Sequence, residues 1–198
     1  MKRFRKLPCM MISLALLTGC TPAVSILEIQ KPEADLTEKT LYSDTIYYVV
    51  AEVPESWGKK GDFLVAPSTD SSGEATISVI QWNTPALQET YQEQVDLLFQ
   101  HDYEAYEDVC NDLHGDYETI QGIQAYQYQG REIIEVQSLN TKQDAILYRT
   151  LYRKDIPYCV AVMEATDESF LEAARWAAVT MSEKMIPPSF EPAESFYR

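Results

Sequence analysis

From Tyr158 to Met163 every position is apolar. Tyr158, Val160 and Val162 alternate with Cys159, Ala161 and Met163, so both faces of a strand here are apolar. A strand of that kind is covered on both sides. The spacing therefore predicts a sheet sandwiched between helices. Other strand patterns surround it. Tyr47–Val53 is β-rich and ends at Pro54, Phe63–Ala66 is a short strand, and Ala75–Trp82 alternates to give a third, antiparallel across the loop 67–73. Thr119–Tyr128 reads as a strand interrupted at Gly122. Gly130 marks the turn into a strand over 132–139, and Ala145–Tyr152 precedes the two-faced strand.

Two stretches carry helical periods. Thr84 and Pro85 suit the cap and first position of a helix. Leu87, Tyr91, Val95 and Leu98, then Phe99, Tyr103, Tyr106, Cys110 and Leu113, recur at steps of three and four. This predicts one long helix, or two joined near His101 and Asp102, with a stop at Gly115. The closing helix is expected over Asp167–Met185, with Phe170, Ala174, Ala177 and Met181 on one stripe, ended by Pro187 and Pro188.

The first 20 residues follow a different logic. Lys2, Arg3, Arg5 and Lys6 precede an apolar run, Leu7–Leu17, too short to cross a bilayer as a helix of roughly 20 residues. The charged start, apolar core and small exit residues read as a secretory signal. The exit, Leu17-Thr18-Gly19-Cys20, resembles the lipobox of bacterial lipoproteins. That resemblance implies cleavage before Cys20 and a diacylglycerol thioether on its sulfur. The competing reading is an ordinary signal peptide with a chance cysteine. The resulting division is a signal peptide over 1–19, a lipidated N-terminus and tether over 20–43, a globular domain over 44–188 and a flexible tail over 189–198. The tether assignment rests on Pro, Glu, Lys and Thr in residues 21–40. As flexible coil those 20 residues would span roughly 25 Å. The apolar island at Val24–Ile29 could instead dock on the domain.

Charge sharpens this picture. Loss of residues 1–19 removes four basic groups and no acidic one, leaving 12 Lys and Arg against 31 Asp and Glu, a net charge of −19. Such a field repels phosphate backbones and anionic headgroups, which disfavours nucleic acid as a partner. The body is then held to the membrane by its covalent lipid. With Cys9 in the signal and Cys20 modified, Cys110 and Cys159 remain. They form either a disulfide, as an exported protein allows, or two buried thiols.

Catalytic chemistry finds few parts. The two histidines, His101 and His114, lie in no zinc motif, and there is no G-x-S-x-G. The acidic run from Asp102 to Glu118 lacks an EF-hand's alternating oxygens and central Gly, and reads as a solvated helix face. No catalytic residue, metal ligand or cofactor is expected. Trp57 in a turn is a core plug or a surface anchor. Tyr126, Tyr128, Tyr148, Tyr152 and Tyr158 fall on strands and suit cross-strand packing or a glycan- or peptide-binding platform.

The order of elements, with Val53-Pro54-Glu55-Ser56-Trp57 after the first strand and Thr119-Ile120-Gln121-Gly122 followed by Ala125-Tyr126, resembles the PsbP-like family, which includes the DcrB type of bacterial envelope lipoprotein. The resemblance covers about residues 44–187. It implies an α+β fold, an antiparallel sheet sandwiched between helices, acting as a binding or assembly module without catalytic machinery. Photosynthetic members support a metal cluster from outside; nothing in this sequence matches residues for that role. The expected function is a membrane-anchored, extracytoplasmic, non-catalytic module with an envelope protein or glycan as partner. The alternative is an envelope hydrolase using paired carboxylates.

Overall fold

A computed structural model describes residues 25–43, 47–60, 63–65, 76–81, 85–114, 118–142, 146–165 and 167–185. The signal, Cys20 and the tail over 189–198 lie outside the described residues. The strands are β1 (Ile26–Glu28), β2 (Leu36–Ser43), β3 (Tyr47–Pro54), β4 (Gly58–Lys60), β5 (Phe63–Val65), β6 (Thr76–Gln81), β7 (Glu118–Tyr128), β8 (Arg131–Asn140), β9 (Ile146–Arg153), β10 (Tyr158–Met163) and β11 (Ser182–Met185). The helices are α1 (Pro85–Phe99), α2 (Tyr103–His114) and α3 (Glu168–Thr180).

The fold is α+β. Among the described residues, eight strands form one sheet in the order β1-β7-β8-β9-β10-β6-β5-β4, antiparallel except for the β1–β7 pair. β11, β3 and β2 form a second, antiparallel sheet. The large sheet is covered on both faces, and strand alternation shows how. Tyr158, Val160, Leu151 and Ile133 enter the core under α3 and the small sheet. Their neighbours Cys159, Tyr152 and Ile134 enter the core under α1 and α2. Adjacent residues point to opposite faces, so the two-faced apolar run of β10 does sit between two helical layers.

Local chemistry sets the boundaries. Gln129 (φ 49°) and Gly130 (φ 80°) both take positive φ, as a two-residue hairpin joining β7 to β8 requires. The register shifts between Ile120 and Gly122, a bulge at the expected interruption. The long helical stretch is two helices. His101 takes φ 60°, His101 N–H donates to Leu98 O and Asp102 N–H to Leu97 O, the double bond pattern of a left-handed helix stop. Asp102 then caps α2, its Oδ1 accepting from Ala105 N. Asp167 caps α3 by accepting from Ser169 N at 2.9 Å. Trp57 is a core plug, buried and stacked on Phe170 with 4.7 Å between ring centroids.

Two expectations need correction. Residues 36–43 are a strand and not free tether, β2 pairing with β3 along its length, while residues 26–28 of the apolar island dock on the domain, as its alternative reading has it, β1 pairing with β7. The folded body therefore begins before residue 44. The closing helix ends at Thr180 rather than Met185, because Met181 turns to extended backbone (ψ 132°) and Ser182–Met185 pair with β3. Of the two readings of Cys110 and Cys159, the structure has the buried thiols and no disulfide between them. Both thiols are buried in the core beneath α1 and α2, where the aromatic rings of Tyr91, Tyr106 and Tyr152 also pack.

Candidate functional site

Two arginines explain why α3 stops where it does. Arg153, buried on β9, donates through Nη1 to Ala178 O at 3.2 Å and also to Met181 O. Arg131, opening β8, donates to Val179 O at 3.1 Å. Both guanidiniums satisfy carbonyls that a helix C-terminus leaves without partners, at its negative end. Arg153 also grips Asp155, and that hydrogen bond holds the Asp155 carboxyl below its ordinary range.

This helix end forms one wall of a cavity of about 500 Å³. The β7–β8 turn supplies Tyr128, Gln129 and Arg131. The small sheet supplies Glu38, Ala51 and Glu52, and the connection after β1 supplies Lys31. Trp176, Val179 and Thr180 come from α3. Glu38 and Glu52 are direct cross-strand partners on β2 and β3. Like charges so placed repel, and each is held by a donor. Glu38 accepts from Lys184 Nζ at 2.6 and 2.7 Å. Glu52 Oε2 accepts from Trp176 Nε1 at 3.0 Å, while Glu52 N–H donates to Thr180 Oγ1 at 3.1 Å. Tyr128 packs edge-on against Trp176 at 4.8 Å, and the Lys31 ammonium stands 5.8 Å from the Trp176 ring centroid.

The lining thus carries both signs of charge, two carboxylates from the small sheet against Lys31 and Arg131, around an aromatic pair. Such an arrangement can hold a polar group by ion pairing and hydrogen bonding. Among the described residues no three His, Cys, Asp or Glu side chains stand together as a metal site, and no helix is long and apolar enough to cross a membrane.

Comparison with known proteins adds little. No family model matches the chain, and no curated protein matches it. Among solved structures, the chain is similar to the solution structure of cyanobacterial PsbP (CyanoP) from Synechocystis sp. PCC 6803. The identity is 13%, the match covers 75% of this chain and 92% of that chain, and the TM-score is 0.36. A likeness at that level speaks neither to activity nor to partners.

The sequence-derived candidates scatter. Cys20 is outside the described residues. Cys110 and Cys159 lie in the α1–α2 core, away from the residues lining the cavity. Burial pushes the Cys110 thiol up, so it is a poor nucleophile at neutral pH. Neither thiol is expected to react with iodoacetamide in the native protein, and both should react in urea. Rapid native alkylation of either, read by mass, would contradict this placement. Of the strand tyrosines, only Tyr128 lines the cavity. Tyr126 lies under Arg175, Tyr152 packs on Tyr91 and Tyr106, and Tyr158 packs on Tyr42 and Tyr47. Burial pushes the Tyr91, Tyr106 and Tyr152 hydroxyls well above their ordinary range, as expected of packing groups. Sequence reasoning missed Lys31 and Glu38, which fell in the supposed tether. The Leu36, Leu41 and Tyr42 positions among Thr residues are the β signal that could have found them.

Proposed function

We propose that this protein is an exported lipoprotein, cleaved before Cys20, fatty-modified on its sulfur and held at the extracytoplasmic face of the membrane. There its body serves as a non-catalytic binding module for an envelope protein or glycan. The leader and Leu17-Thr18-Gly19-Cys20 support the address. The net charge of −19 after cleavage makes an electrostatic hold on anionic lipid implausible and leaves the covalent lipid as the anchor. The observation that carries the binding role is the cavity at the end of α3. Its charged side chains are held by fixed donors and acceptors, Lys184 on Glu38, Trp176 on Glu52 and Val179 O on Arg131. Preset charges that need no rearrangement favour recognition.

Crosslinking in intact cells tests this reading. The wild-type chain is expected to capture envelope components. A lipidated Glu52→Gln/Arg131→Ala variant should lose most of that capture while keeping its fold. Equal capture by both would leave the cavity without a role.

One observation favours the alternative, an envelope hydrolase: the Glu38–Glu52 opposition is a pair of carboxylates in a cavity. Purified protein that released soluble fragments from isolated envelope material, with Glu52→Gln inactive, would establish that reading instead.

A further inference from the structure

The described chain starts already docked. Ser25 O accepts from Gln124 Nε2 at 2.7 Å, Ile26–Glu28 pair with Ala125–Gln127, and Ile29 N–H donates to Gln127 O at 2.8 Å. Only Thr21, Pro22, Ala23 and Val24 separate Ser25 from Cys20. Five residue steps reach at most about 18 Å when fully extended. A body fixed at Ser25 therefore cannot swing far from a lipid on Cys20.

The surface at that attachment carries exposed apolar side chains. β1 is the edge of the large sheet, and Ile26 (41%) and Leu27 (45%) are among its most exposed large apolar side chains. The two strands of this rim carry only Glu28 and Glu118 as charged residues, β7 being rich in Gln.

We infer that the β1 rim, with Ile26 and Leu27, rests on the bilayer that holds the Cys20 lipid. This rests on the lipoprotein reading above. Ile26 and Leu27 flank the edge on opposite sides of the sheet, so both reach the headgroup boundary with the sheet standing edge-on, and the anchor keeps the rim at high effective concentration there. The low charge of the rim spares it the repulsion that the rest of the body meets at an anionic surface. The cavity lies beside this rim: Glu28 pairs with Gln127, next to the cavity-lining Tyr128, and Lys31 of the lining follows β1 by three residues, so the cavity sits near the membrane surface.

The test uses the full lipidated chain in phosphatidylcholine vesicles. An environment-sensitive fluorophore is placed on Leu27→Cys, and on Met185→Cys in the small sheet as control; Cys110 and Cys159 are buried. Lipids bearing acyl-chain nitroxides should quench the probe at position 27 about two-fold or more and leave position 185 nearly unchanged. If neither probe is quenched while the chain stays on the vesicles, the body stands off the membrane; this inference fails and the anchor survives. Equal quenching at both sites also overturns it, because no face is preferred. If the chain carries no lipid and leaves the vesicles, both readings fall. Amide exchange of unsubstituted protein gives a second readout: residues 25–30 should slow on adding vesicles. Slowing that requires another protein and no lipid would assign the edge to a partner strand and overturn the proposal.

Discussion

Glu135→Ala is expected to lower the unfolding free energy by about 3–5 kcal/mol. Glu135 is a buried carboxylate on β8, between two guanidiniums. Its Oε2 accepts from Arg175 Nε at 2.6 Å, and its Oε1 from Arg149 Nη1. Arg175 is itself buried on α3, lies over Tyr126 at 4.6 Å, and also bonds Glu168. Burial alone would push the Arg175 pKa down, but the bonds and charge of Glu135 and Glu168 raise it above its ordinary value. Arg149 Nε is buried without a hydrogen-bond partner, so that arginine depends on Glu135 the more. Removing the carboxylate strands two positive charges between α3 and the sheet. Domains of this size are stable by about 5–15 kcal/mol in all, so the variant should lose a large share of its stability. Urea titration would show a lower midpoint at unchanged slope. Replacing Glu135 by Leu together with Arg149 and Arg175 by Met should recover much of the loss, because the desolvation cost then vanishes with the charges. A single-variant loss below about 1 kcal/mol, the range of exposed pairs, would mean that water already screens the network.

Cys20→Ala is expected to abolish incorporation of labelled palmitate completely and to remove the protein from the detergent phase on partitioning. The effect is all-or-none because the alanine side chain has no sulfur to form the thioether. Each buried lipid methylene contributes about 0.8 kcal/mol to membrane binding, and the body has no compensating hold on anionic lipid. Among the described residues no helix can cross the bilayer. Label retained by Cys20→Ala would place the lipid elsewhere, and a wild-type chain that takes up no label would deny it altogether.

The layered fold was legible where its signals are local. The β10 run from Tyr158 to Met163 carries its two-sided burial in its own composition, and Gly130 and Gly122 mark a turn and a bulge within a residue of where they occur. The errors arise where distant residues decide. α3 ends at Thr180 because Arg131 and Arg153, from β8 and β9, take its last carbonyls and β3 pairs with Ser182–Met185. No Gly or Pro stands there to announce it. The stretch 21–40 reads as tether because charge and proline dominate its average, yet β2 is satisfied by β3 and β1 by β7, about a hundred residues away. A three-residue strand is too short to show a period. The cavity inherits that blindness: Lys31 and Glu38 come from the misread stretch, and the helical stripe of Phe170, Ala174, Ala177 and Met181 leaves Trp176 out. Its role emerges only when Nε1 is seen donating to Glu52. Glu135 within Ile133-Ile134-Glu135-Val136 breaks an apolar strand, a sequence-level hint of a buried partner that only α3 and β9 can name.

The most direct test of the lipid-moored binding module is the intact mass of the natural product purified from its host membrane. The account predicts a chain beginning at Cys20 and heavier by a diacylglyceryl group, with or without a further acyl chain on the new amine. A chain starting at Met1, or a bare thiol at position 20, would contradict it.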